Sequence, residues 1–200
     1  MRIKSFATLL VLSFALGGTA AAAAPDSAAG CAACHGEGGV SQRSDIPTIA
    51  GLSEFYLEGQ MQAYQKGDRP CEKVKGDDGQ TADMCDIAKA LTADQIAEID
   101  AYFSSQDFVA ADQTADAALA AKGKALHERR CEICHSDGGS FADDDAGLLA
   151  GQWKPYLQSM LVEYRSGKRV EPEKMKPQTS ALSDDDIKAL VEFYASETTE

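Results

Sequence analysis

Between Ser53 and Lys66, Leu57, Met61 and Tyr64 fall on one stripe of a 3.6-residue period, and Gly67 follows as a stop. A counterpart a hundred residues on keeps Trp153, Tyr156, Leu157, Met160, Leu161 and Tyr164 apolar as far as Ser166. Pro155 suits its first turn and Gly167 its end. Thr92 to Phe103 opens with a Thr92/Gln95 capping box and continues with Ile96, Ile99, Tyr102 and Phe103. Ser183 to Tyr194 repeats that pattern with Ile187, Leu190, Val191 and Tyr194. Asp116 to Cys134, rich in Ala, Leu, Lys and Glu, predicts one more helix. Gly- and Asp-rich loops separate these segments and no stretch alternates like a strand, so the predicted class is all-α.

The pairing of helices reflects a repeat. Cys31-Ala32-Ala33-Cys34-His35 recurs as Cys131-Glu132-Ile133-Cys134-His135 at an offset of 100. Gly38-Gly39, Ala50-Gly51, Tyr56-Leu57, Tyr64, Gly67 and Arg69 recur in the same register. Past residue 70 the offset becomes 91, matching Met84 to Met175, Leu91 to Leu182 and Ile96 to Ile187. The first unit therefore holds nine extra residues between Arg69 and Met84. Two tandem domains, 25–112 and 113–200, follow, with Ser104 to Thr114 as the connector. Each is small for a core of its own, and a large apolar cofactor at its centre would make up the deficit.

The N-terminus reads as an address. Arg2 and Lys4 precede an apolar run from Phe6 to Leu16 and a small-residue run from Ala20 to Ala24. The run is short for a bilayer span and no second one follows, so residues 1–24 are expected to be a cleaved signal peptide and the chain not to span a membrane. Export to a periplasm or its equivalent permits disulfides. Removing residues 1–24 leaves 17 basic and 32 acidic residues. That balance disfavours nucleic acid and suits a partner with a basic patch.

Two thiols three residues apart can reach the two vinyl groups of a haem, and the adjacent imidazole then lies under the iron. C-x-x-C-H thus reads as covalent haem c attachment through Cys31, Cys34, Cys131 and Cys134, with His35 and His135 as proximal ligands. A thioredoxin-like pair needs no following His and sits near a βαβ pattern, absent here. A zinc site needs more Cys or His than the chain offers. His127, one helical turn before Cys131, reads as a surface or haem-edge residue.

A second axial ligand comes from Met61, Met84, Met160 or Met175. Met61 and Met160 lie on apolar stripes and do not correspond in the repeat. Met84 and Met175 do correspond, each on a loop before the last helix of its unit, and are the predicted distal ligands. Cys71 and Cys85 flank the insertion without repeat partners. A structural disulfide is the expectation, and a Cys85 thiolate on the first haem, which could create a catalytic site, the alternative. Weaker features are Gly51 and Gly151, which can let backbone approach a haem, and Tyr56, Tyr156, Arg69 and Arg169. These four can meet haem propionates, or serve as packing aromatics and exposed cations. The acidic runs Asp77-Asp78, Asp143 to Asp145 and Asp184 to Asp186 read as solvated faces or helix caps.

Residues 25–200 resemble the tandem dihaem class I cytochromes c, the group containing cytochrome c4 and the dihaem subunit of flavocytochrome c sulfide dehydrogenase. The shared pattern is C-x-x-C-H, A-G, Y-L, then M before the last helix, twice over. The second half, with Gly123-Lys124-Ala125-Leu126-His127 and Ala150-Gly151-Gln152-Trp153-Lys154-Pro155-Tyr156-Leu157, is similar to the flavocytochrome subunit. The Cys71/Cys85 insertion departs from it. The resemblance implies two covalent haems, His/Met ligation at His35, Met84, His135 and Met175, and domains packed with their propionate edges together. It implies electron transfer, with substrate chemistry on another chain: a sulfide-oxidising flavoprotein partner first, or a cytochrome c4-like shuttle to a terminal oxidase, each with a soluble redox protein as a further partner. The minority alternative is a dihaem enzyme such as a thiosulfate dehydrogenase or a peroxidase.

Overall fold

The computed structural model describes residues 23–197, so the export segment lies outside the described residues apart from Ala23 and Ala24. In chain order the helices are α1 Ala32–His35, α2 Glu54–Lys66, α3 Met84–Ala90, α4 Ala93–Ser104, α5 Ala117–Arg130, α6 Ser136–Gly139, α7 Lys154–Arg165, α8 Lys176–Thr179 and α9 Asp184–Ser196. Short 3-10 turns precede α1 at Asp26–Ala28, follow it at Glu37–Gly39, and follow α6 at Ala142–Asp144.

The predicted caps are present. Ser53 Oγ accepts from Tyr56 N at the start of α2. Thr92/Gln95 and Ser183/Asp186 form reciprocal capping boxes on α4 and α9. Asp186 thereby belongs to a cap, and Asp184 to Asp186 occupy the first turn where a helix dipole favours acid. The α5 helix is shorter than predicted: Asp116 caps it through Ala118 N and Leu119 N, and it ends at Arg130, before the Cys motif. The all-α class holds, with one minor addition. Val74–Lys75 (β1) and Thr81–Ala82 (β2) pair antiparallel, Val74 with Ala82 and Lys75 with Thr81. These two-residue strands lie in the inserted segment and are too short to show an alternating pattern.

In domain 2, α9 packs on α5 and α7. The α5–α9 crossing is close because Gly123 faces Ala189: a Cβ on Gly123 would sit 2.0 Å from the Ala189 carbonyl oxygen. Leu126, Leu157, Leu182, Ile187, Leu190 and Phe193 form the core there. In domain 1, α2 packs on α3 and α4, and the 3-10 turn at Asp26–Ala28 contacts α4. Leu148 of domain 2 joins the domain 1 cluster of Leu52, Leu57, Ile99 and Phe103, so apolar packing is continuous across the two units. Gly51 and Gly151 leave room for the connector, not for a haem: Phe108 fills the space at Gly51, and Ala110 with Phe108 that at Gly151. No described helix is long and apolar enough to cross a membrane.

Candidate haem sites and the interface between them

The two motifs share their backbone hydrogen bonds. Cys34 N and His35 N donate to Cys31 O at 3.2 and 2.9 Å, and Cys134 N and His135 N to Cys131 O at 3.1 and 3.0 Å. Beyond them, Ile49 N and Leu149 N each reach a glycine carbonyl, Gly39 O and Gly139 O, at 2.8 Å. Gly51 N donates to Phe103 O at 2.9 Å and Gly151 N to Tyr194 O at 2.8 Å, so the change of offset from 100 to 91 is visible in three dimensions.

His35 is buried, and its Nδ1 lies 2.9 Å from Pro47 O. That contact fixes the tautomer with the proton on Nδ1 and leaves Nε2 as a lone-pair donor. Burial holds the His35 and His135 imidazoles neutral, as a metal ligand requires. In the second motif Nδ1 of His135 is buried without a hydrogen bond of good geometry. Cys31, Cys34, Cys131 and Cys134 are free thiols. Burial pushes the Cys31 and Cys131 thiols up, opposite to the shift a thioredoxin-like thiolate needs.

Among the methionines, Met160 Sδ accepts from Arg169 Nη1 at 2.8 Å and Arg69 Nη2 at 3.3 Å, and so is engaged between the domains. Met61 is buried against Ala88 and Ile96, with Met84 packed on the same cluster. Met84 begins α3 and Met175 caps α8, both half-buried. Cys71 and Cys85 form a disulfide, with Cα atoms 5.8 Å apart. Neither sulfur is then a free thiolate.

Two sequence readings are corrected by burial. His127 is 0% exposed. Its Nδ1 lies 3.0 Å from Tyr194 Oη and its Nε2 2.6 Å from Glu132 Oε2, so both ring nitrogens are occupied within the protein. Gly123, Leu126 and His127 share the inner stripe of α5, a signal that was available in the sequence. Arg69 and Arg169, read as equally suited to exposure, are only 5% and 4% exposed. Their guanidinium groups lie 4.6 and 4.4 Å from the ring centres of Tyr64 and Tyr164. Arg69 also donates to Gln60 Oε1 at 2.9 Å and Tyr156 Oη at 3.2 Å, and Arg169 bonds Gln60 across the interface. Tyr56 packs on Gly147 of the other domain. Among the described residues neither arginine has a carboxylate partner within ion-pair distance.

Buried polar pairs close the rest of the interface. Gln152 accepts from Thr48 N at 3.1 Å and donates to Thr48 O at 2.7 Å. Trp153 Nε1 donates to Ser41 O at 2.9 Å, Tyr156 N to Ser44 O at 3.2 Å, and Val170 N to Asp68 O at 2.7 Å.

Residues 20–107 match the family model described as cytochrome c, and residues 118–193 that of the cbb3-type cytochrome c oxidase subunit III. A cytochrome c4 of Pseudomonas aeruginosa is 32% identical over 202 residues, covering 92% of this chain and 94% of its own. This chain belongs to the tandem dihaem class I cytochromes c. The crystal structure of reduced recombinant cytochrome c4 from Pseudomonas stutzeri superposes with a TM-score of 0.71 at 29% identity, over 86% of this dihaem cytochrome and 95% of that chain. A thiosulfate dehydrogenase electron acceptor of Thiomonas intermedia is 30% identical, over 84% of this chain and 77% of its own. The dihaem cytochrome therefore carries two covalently bound haems c. The donor set fits them: two cysteine pairs, two neutral imidazoles, of which that of His35 has its tautomer fixed by Pro47 O, and two buried cations without carboxylate partners.

Proposed function

We propose that the chain is a periplasmic electron shuttle of the cytochrome c4 type, composed of domains 25–112 and 113–200 behind a cleaved signal peptide at 1–24. The observation that carries this reading is the pair of near-identical motifs on either side of one buried interface. Bound haem c supplies a one-electron couple that changes charge without making or breaking bonds. Cys31, Cys34, Cys131 and Cys134 anchor the two groups by thioethers. His35 and His135 would hold each iron through Nε2, and Met84 and Met175 would supply a thioether sulfur as the second ligand, which raises the potential relative to a second imidazole.

Arg69 and Arg169 are the natural partners of propionate carboxylates. A buried guanidinium without a countercharge is costly, and two carboxylates per haem offset that cost. The tyrosine rings around both cations exclude water from the region the electron crosses. Substrate chemistry belongs to another protein. The relative named as a thiosulfate dehydrogenase electron acceptor favours a sulfur-oxidising donor, and the cytochrome c4 relatives favour a terminal oxidase as acceptor. Their names weigh against the flavoprotein subunit that the sequence put first.

Gentle purification from the native source, with haem and flavin assayed in the same fractions, tests this. A flavin-free species with two haems per chain is expected. Flavin co-eluting in fixed ratio would contradict the shuttle and restore the flavocytochrome reading.

A further inference from the structure

The geometry points to domain 2 alone as the docking face for redox partners, with domain 1 exchanging electrons through it; the inference rests on the electron-carrier reading. Ala33 and Ile133 occupy the same place in the two motifs, between the paired cysteines. Over Ala33 lies the inserted hairpin. Asp77 N donates to Ala33 O at 2.8 Å, and Gly76 packs so closely that a Cβ there would lie 3.4 Å from the Ala33 Cβ. Arg43 ties the hairpin down from the side, donating to Lys75 O at 2.5 Å while it pairs with Asp45 at 2.9 Å. The Cys71–Cys85 disulfide closes its base.

Among the described residues, nothing covers Ile133 in domain 2 as the hairpin covers Ala33 in domain 1. Ile133 is 91% exposed. A branched apolar side chain standing in water at the haem-attachment loop is the kind of centre around which a transient interface forms. Its border identifies the partner's charge. The Glu132 carboxylate is fixed by Asp137 N at 3.0 Å, and Asp144 by Ser136 Oγ at 3.1 Å. Arg129 and Arg130 stand in the last turn of α5, immediately before Cys131, as the basic flank of this acidic edge. On a chain of net charge −13, this edge fits a basic redox protein with a small apolar patch. In each encounter one electron leaves the partner and enters the chain at domain 2. A second encounter follows after the first electron crosses the interface to domain 1, making the molecule a two-electron reservoir with one port.

The test uses the full dihaem protein and a basic monohaem cytochrome c as probe at low ionic strength. Ile133→Lys and Thr81→Lys each add one positive charge at an exposed position, the first on the domain 2 edge and the second on the hairpin. Ile133→Lys should weaken binding about tenfold and Thr81→Lys less than twofold, as a central apolar contact and a remote charge respectively should. Ile133→Ser, which changes no charge, should weaken it several-fold. Probe-protected residues mapped by footprinting should include Ile133 and not Thr81. Equal weakening by both lysine variants, no weakening by either, or no binding of the probe would overturn the proposal. Failure of the carrier reading looks different: the probe binds but passes no electron to haems that dithionite reduces.

Discussion

Asp100 stands in domain 1 where the repeat register places Val191 in domain 2. It is 3% exposed, and its Oδ2 has no hydrogen-bond partner. Burial first, then the negative charges of Glu58 and Glu54, push its carboxyl up to about 7. An unfolded Asp titrates near 4, so the folded state binds this proton more tightly. The stabilisation is complete below about pH 4 and is lost as pH rises through about 7. Asp100→Asn should therefore raise the domain 1 unfolding midpoint at pH 8, by roughly 1–2 kcal/mol since water screens the two exposed glutamates, and change little at pH 4. Thermal melts at both pH values check the sign, and an equal effect at both would refute it. At the iron, Met84→Ala and Met175→Ala should each remove the methionine-to-iron charge-transfer band of one haem; a spectrum unchanged in either variant dismisses that ligand. The paired C-x-x-C-H motifs were legible because chemistry fixes their type and spacing, and the repeat alone selects Met84 and Met175 as the proposed second ligands. Asp100, Arg69 and Arg169 were not. Their burial depends on which faces two helices, or two domains, turn toward each other, and a polar residue's sequence neighbours do not encode that.

At the scale of elements, periodicity and caps located the long helices to within a few residues, because each carries its own stripe and its own Ser, Thr or Asp cap. The hairpin was invisible, since two-residue strands take their order from the Cys71–Cys85 closure and from Ala33 and Arg43. Replacing both cysteines with serine should cost about 3 kcal/mol of domain 1 stability, as expected for a loop of this length. It should also loosen the segment bearing Met84, so that the Met84 band broadens or weakens before global unfolding. In the native chain neither cysteine should alkylate under denaturing conditions until a reductant is added. The α5–α9 crossing offers a second test. Gly123→Val would drive a side chain into the Ala189 backbone and should destabilise domain 2 by about 3 kcal/mol or more, leaving domain 1 melting unchanged.

Across the whole molecule, the two units share packing, polar bonds and a pair of buried cations. A repeat in sequence announces two domains but says nothing of the face they share; the bonds of Gln152, Trp153 and Tyr156 to Thr48, Ser41 and Ser44 are set by how the two units meet. Held against the haem propionates as proposed, the two guanidinium groups would favour the reduced, more negative state of each haem. Arg69→Gln and Arg169→Gln should each lower the reduction potentials by about 40 mV, roughly 1 kcal/mol for a one-electron couple. A variant whose potentials match the wild type would remove these residues from the redox account. The central claim, an electron carrier with two closed His/Met haems, is tested most directly by a potentiometric titration of the purified chain followed by its ferric spectrum. Two one-electron steps, a methionine-to-iron band from each haem and no bound flavin are expected. A thiolate signature, or a high-spin haem with an open position, would contradict it and make the chain an enzyme.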